Sequence, residues 1–356
     1  MVELLRQIKV GNKETLIPII QGGMGIGVSL SNLASAVANA GGIGVISGVQ
    51  IGFREEDFST NSKEANIRAL KKEIKKARNL SPNGILGVNL MVAIENYKDM
   101  VMAAVEEKID LIISGAGLPS ELPSLVKGSN TKIAPIVSSG KAAAVITKLW
   151  EKRYQYIPDL IILEGPLAGG HLGFSKEIAK DNPPSLMDLF NEVKNSLKPF
   201  EDRLNIKIPV IVAGGIFSGK DIREFLDAGA DGVQMGTRFV GTEECDAHIN
   251  YKNEYLKVKE DEIGIIHSPV GLPGQAILNP FIQKVSNSRE DVKKCYRCLT
   301  PCNPKTTQYC ITNALINSVT GYVDNGLVFI GKKGYLIDEI IPVAQLIDKL
   351  KKEMMS

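Results

Sequence analysis

The sequence predicts an α/β chain folded as a (β/α)8 barrel, the TIM barrel, with a C-terminal appendage that carries a cysteine cluster. Three observations lead there. Eight short apolar runs recur between residues 16 and 236, each run is apolar at successive positions, and the segments between them carry helical spacing. Parallel strands covered by helices on both sides must be apolar on both faces. Eight strand–helix units in about 250 residues is the count and length of such a barrel, and the strand count separates it from the doubly wound sheet, which uses the same alternation.

In chain order the strands are "LIPIIQ" (16–21), "IGVIS" (43–47), "ILGVNLM" (85–91), "LIIS" (111–114), "IAPIVS" (133–138), "LIILE" (160–164), "PVIVAGG" (209–215) and "DGVQMG" (231–236). The first helix lies in "SLSNLASAVANAGG", where Ser29 is the expected N-cap, Leu30, Leu33, Ala34, Val37 and Ala38 recur at helical spacing, and Gly41 stops the helix. "SGKDIREFLDAGA" repeats the pattern, with Ser218 as cap and Gly229 as stop. Beyond the eighth strand, "SPVGLPGQAILNPFIQ" (268–283) reads as loop, and residues 337–356 end the chain as an amphipathic helix opened by Pro342. The division expected is a barrel over 1–249 and an appendage over 250–356 packed on it, without a linker.

Composition narrows the function. The chain has 356 residues, 44% hydrophobic and 23% charged, which suits a globular protein with a sizeable core. A net charge of +2 makes no field that would draw nucleic acid. No apolar run approaches the ~20 residues of a membrane span, and "MVELLRQIKVGNKETL" has charges where a signal peptide needs its apolar centre. A cytoplasmic protein with a small-molecule substrate is the expectation, and no sequence feature specifies an oligomeric state.

In a TIM barrel the active site forms at the C-terminal ends of the strands. The unusual residues of this chain stand there: Gln21 to Met24, Asn89, Ser114 with Gly115 and Gly117, Glu164 to His171, Gly214 and Gly215, and Gln234 to Thr237. The turns at Gly214–Gly215 and Gly236–Thr237 each open a helix and present backbone N–H groups suited to a phosphate. "QGGMGIG" resembles a dinucleotide fingerprint, but its glycines fall at 22, 23, 25 and 27 and no acidic residue ends strand two, which disfavours Rossmann binding. His171, one of three histidines, sits behind a glycine pair in "EGPLAGGHLGF". Imidazole titrates near neutrality, which makes His171 the candidate general acid or base. His248 and His267 lie outside any motif, and Lys141 reads as a solvent-facing helix-start lysine.

Together "PIIQGGM", "AGGH", "PVIVAGGI" and "GVQMGTRF", in this order over residues 15–245, resemble the nitronate monooxygenase (2-nitropropane dioxygenase) family and its flavin-dependent enoyl-acyl-carrier-protein reductase relatives. The resemblance implies FMN in the barrel, contacted by Gly22, Gly23, Met24, Asn89, Glu164, Gly169, Gly215, Gln234, Met235, Gly236 and Thr237. It implies either oxidation of nitronates and nitroalkanes, with His171 as base, or NAD(P)H-dependent reduction of an enoyl thioester, with a protonated histidine as acid. Two positions depart from the familiar pattern: Leu167 stands where an acidic residue is common, and Glu164 where a glutamine is.

Four of the five cysteines fall in "CYRCLTPCNPKTTQYC" with spacing C-x2-C-x3-C-x7-C. Four thiols so close in irregular chain can converge on one metal, as tetrahedral zinc requires. The first three intervals also resemble the iron–sulfur motif of flavin-dependent dienoyl-CoA reductases. The expectation is a [4Fe-4S] cluster, ahead of zinc, on Cys295, Cys298, Cys302 and Cys310, with Cys245 a bystander. A non-catalytic barrel that binds a phosphate ligand and senses metal or redox state is the alternative of another class.

Overall fold

The computed structural model describes residues 6–356, so the first five residues of the stretch read against a signal peptide lie outside it. Eight parallel strands close into one barrel: β1 (Ile19–Gln21), β2 (Ile43–Ser47), β3 (Ile85–Met91), β4 (Leu111–Gly115), β5 (Lys132–Val137), β6 (Ile161–Glu164), β7 (Val210–Ala213) and β8 (Gly232–Met235). Each pairs with the next in sequence, and the ring shuts where Val233, Gln234 and Met235 of β8 register with Ile19, Ile20 and Gln21 of β1. The fold is a TIM barrel, and each predicted run contributes its strand.

Alternation along the strands sorts the core into two layers. Ile43 and Val45 of β2, Ile162 of β6 and Ile211 and Ala213 of β7 fill the interior, while Ile46, Ile161, Leu163, Val210 and Val212 face the helices. An N-terminal hairpin, Lys9–Val10 with Lys13–Glu14, closes the end of the barrel away from the strand C-termini. Its Ile8 and Val10 join the interior layer, with Ile8 against Gly232 at the start of β8. Each buried aliphatic side chain contributes about 2 kcal/mol by leaving water, so this layer holds the ring shut.

The helix Ser31–Asn39 buries the predicted stripe and packs so tightly on β2 that a Cβ on Gly44 would lie 1.7 Å from the carbonyl oxygen of Ala34. Its expected cap is corrected. Ser29 turns back, its Oγ accepting from the N–H of Met24 at 2.8 Å, and the helix start is satisfied by Asp246, whose carboxylate accepts from Leu30 and Leu33 at 2.7 and 3.2 Å. A carboxylate from a distant segment supplies the charge-assisted bonds that a local hydroxyl would have made. By contrast, Ser218 caps helix Gly219–Asp227 as predicted, in a capping box with Asp221.

The post-barrel region holds more regular structure than its loop-like sequence suggests. Strands β9 (Ile263–His267) and β10 (Pro273–Ile277) pair antiparallel, and β10 continues onto the two-residue strand Gly170–His171, joining Gly274 to His171 and Gln275 to Gly170. Proline is tolerated at the first position of β10. Asn279 and Pro280 then serve as N-cap and first residue of helix Pro280–Asn287. The terminal helix Val343–Met355 packs on helix Gly219–Asp227. Among the described residues no helix is long and apolar enough to cross a membrane.

Candidate active site

At the C-terminal ends of the strands lies a cavity of about 250 Å³. Every predicted cofactor or catalytic position borders it: Gly22, Gly23 and Met24 after β1, Asn89 of β3, Glu164 of β6, Gly169 and His171 on the following turn, Gly214 and Gly215 after β7, and Gln234, Met235, Gly236 and Thr237 of β8 and its turn. Gly214 and Gly215 have φ of +91° and +96°, which glycine alone adopts without strain. A Cβ at Gly23 would lie 2.4 Å from that of Asn89, so this glycine lets the β1 turn sit against β3. Gly169 is needed for a reason the sequence does not disclose: a Cβ there would meet the backbone of Ile330 and Gly331 at 2.6–2.7 Å.

His171 is held from the appendage. Its Nε2 lies 2.7 Å from the hydroxyl of Ser268, and the ring of Phe329 stands edge-on with centroids 5.0 Å apart. Burial pulls the imidazole down to about 4, so it is neutral at pH 7. Burial also pushes the Glu164 carboxyl up to about 7, and no described residue hydrogen-bonds it. The two groups line one cavity with their proton affinities moved in opposite directions.

The anion-binding expectation divides between the two turns. After β7, the N–H groups of Phe217 and Ser218 both donate to Asp221 at 2.9 Å, and that of Gly219 donates to Glu353 at 2.7 Å, so carboxylates already occupy this helix start. The Gly236–Thr237 turn carries no such carboxylate; there the Thr237 hydroxyl accepts from the N–H of Gly331 at 2.9 Å. Lys333, paired with Asp221 at 2.9 Å, also borders the cavity. Buried at its wall, Gln234 Oε1 has no hydrogen-bond partner, an acceptor left for a ligand's donor.

The model of the nitronate monooxygenase family matches residues 6–353. The chain belongs to the nitronate monooxygenase family. A probable nitronate monooxygenase of Staphylococcus saprophyticus is 27% identical over 77% of this chain and 79% of its own length. The structure of FabK from Thermotoga maritima superposes with a TM-score of 0.73 at 28% identity, covering 95% of this chain and 92% of that one. Nitroalkane oxidase from Streptomyces ansochromogenes shares the fold, with a TM-score of 0.74 at 20% identity over 96% of each chain. Membership of the family makes the protein an oxidoreductase and sets aside the non-catalytic alternative.

The metal expectation on Cys295, Cys298, Cys302 and Cys310 finds no support. Among the described residues no group of three or more Cys, His, Asp or Glu side chains could hold a metal ion. The four thiols meet different surroundings: Cys295 is exposed, Cys298 borders the active-site cavity, and Cys310 stands at the N-cap of helix Ile311–Val319. Burial pushes the Cys298 thiol up to about 11 and raises Cys302 and Cys310. The segment instead packs on the barrel, with Leu299 bridging to Ile94, Thr300 N–H donating to Ala93 at 3.0 Å, and Tyr296 stacked on Phe58. Cys245 is buried against Val28, apart from the cavity.

His248 caps its own helix, His267 is exposed on β9, and Lys141 faces solvent, as their lack of motif suggests. Ser268, Phe329 and Lys333 are the residues that sequence reasoning missed. They sit in no motif; the pairing of β10 with Gly170–His171, the Gly331–Thr237 hydrogen bond and the Lys333–Asp221 pair bring their region to the site.

Proposed function

We propose that the cavity binds FMN and that His171 removes the proton from the carbon beside a nitro group. The cavity fits the group: the partnerless Gln234 Oε1 suits the imide N–H of a flavin ring, Gly22, Gly23, Met24 and Asn89 offer a close-packed wall, and Gly215, Gly236, Thr237 and Lys333 would face the phosphate. FMN bound there supplies electron transfer, from the nitronate to dioxygen.

One observation carries the reading, the placement of His171 in the cavity wall with its Nε2 held 2.7 Å from the Ser268 hydroxyl. A neutral imidazole accepts a proton, and if Nε2–H donates to the Ser268 hydroxyl, Nδ1 keeps the free lone pair. In the step proposed, the C–H bond of a neutral nitroalkane breaks, its proton goes to His171, and its electron pair moves onto the nitro group to give the nitronate. Phe329 and Ser268 fix the ring so that little reorganisation accompanies the transfer.

Glu164 favours a second reading. A carboxyl pushed up to about 7 is half protonated at neutrality and can donate. In NAD(P)H-dependent reduction of an enoyl thioester, Glu164 would deliver the α-proton, a role for which His171 at about 4 is unsuited. Flavin absorbance of the purified protein tests the cofactor. Oxygen uptake with an alkyl nitronate, against NAD(P)H oxidation with an enoyl thioester, decides between the reactions, and activity only in the second assay would overturn the first reading.

A further inference from the structure

A second cavity of about 240 Å³ adjoins the first, and the two share Ala116, Ile136, Glu164 and His171. The rest of its wall is formed mainly by Leu118, Pro119, Val137, Ala142, Ile146 and Leu272, from the ends of β4 and β5, the helix after β5, and the loop before β10. Its polar lining is already engaged: the hydroxyl of Ser138 donates to Gly173 at 2.9 Å, and the carbonyl of Pro119 accepts from Trp150 at 3.0 Å. The titratable groups stand only where it joins the main cavity. Toward the other end Leu118 is 47% exposed, so the chamber runs from the acid–base pair to an apolar rim at the surface.

We infer that this chamber is the subsite for the unbranched alkyl chain of the substrate, with the reacting carbon held at the shared wall between Glu164 and His171. The inference rests on the proposed oxidation of nitroalkanes and narrows it to primary, straight-chain ones. A polar head must stay beside the two titratable groups, and a wall made mainly of aliphatic side chains favours an apolar tail. At about 240 Å³ the chamber has room for an extended alkyl chain.

The test is calorimetric titration of the anaerobic holoenzyme with nitroethane, 1-nitrobutane, 1-nitrohexane and 1-nitrooctane. Burial of each methylene should tighten binding about fourfold until the chamber is full. Ala142→Phe, on the helix that forms one wall, and Leu118→Trp, at the exposed rim, should each cut the octyl-to-ethyl affinity ratio by tenfold or more. The rim variant reads the same space without touching the core, should the first fail to fold. A flat series in the parent, or an unchanged ratio in both variants, overturns the subsite. Oxidation of nitroethane with a flat binding series would leave the proposed reaction standing and remove the chamber. A steep series that the variants erase, without turnover, would do the reverse.

Discussion

Glu164 and His171 should leave opposite marks on stability across the same range of pH, and replacing either should unmask the other. Burial raises Glu164 from 4.5 to about 7 and lowers His171 from 6.5 to about 4, so each is displaced by about 2.5 units, worth about 3 kcal/mol at 1.36 kcal/mol per unit. Between about pH 4.5 and 7 the folded chain keeps the Glu164 proton that the unfolded chain has released, and stability falls as pH rises. Between about pH 4 and 6.5 the unfolded chain keeps an imidazole proton that folded His171 has lost, and stability rises. In the parent the two slopes cancel from about pH 4.5 to 6.5. Glu164→Gln should therefore gain stability relative to the parent as pH rises through 4.5 to 7, by about 3 kcal/mol in all, whereas His171→Asn should lose a similar amount from pH 4 to 6.5. The assay is urea unfolding of the flavin-free protein from pH 4 to 8, followed by fluorescence of the single, fully buried Trp150 and by circular dichroism, with coincident transitions required. Taking differences from the parent removes the other titrating groups. Two variants with the parent's profile at every pH would refute the protonation states on which the acid–base roles stand.

The remaining expectations concern single contacts. His171→Asn should lower turnover of a neutral nitroalkane by about 10²- to 10⁴-fold while sparing a preformed nitronate, so an equal loss on both, measured by oxygen uptake, removes the histidine from proton transfer. Gly236 has φ of −103°, and a Cβ there meets nothing nearer than the flexible Met24 Sδ at 3.4 Å. Gly236→Val should then fold as the parent does but purify without flavin colour, and a full complement of FMN would show that the phosphate lies elsewhere. Asp246→Ala removes the cap of helix Ser31–Asn39 and should lower stability by about 1–2 kcal/mol, read as a shift in the urea midpoint; an unmoved midpoint would mean that water replaces the carboxylate.

The barrel was legible because its signals are local. Strands buried on both faces must be apolar throughout, as "LIIL" and "VIVA" are, and the glycines after β1, β7 and β8 mark the strand ends, where Gly214 and Gly215 take a backbone that favours glycine. All the predicted cavity residues could be named for the same reason, since strand ends converge in a barrel. What failed depends on distance along the chain. Ser29 had the right chemistry for a cap, yet Asp246 took its place from 216 residues away. Ser268 has no pattern around it that would single it out, and it matters only because β10 pairs with the strand that bears His171. Gly169 looked like a flavin contact, while its missing side chain also makes room for Ile330 and Gly331. The cysteines are the reverse case: their spacing was legible, yet among the described residues they form no group able to hold a metal ion.

The pairing of β10 with Gly170–His171 also sets an order in time. A growing chain emerges N-terminus first, so all eight barrel strands leave the ribosome before Ser268, Phe329 and Lys333. Until those residues arrive, the turn that carries His171 has no partner strand and the cavity lacks part of its wall. The eight-stranded barrel alone would thus present its glycine turns with His171 unheld, and the cavity wall is complete only when the last quarter of the chain has closed over them.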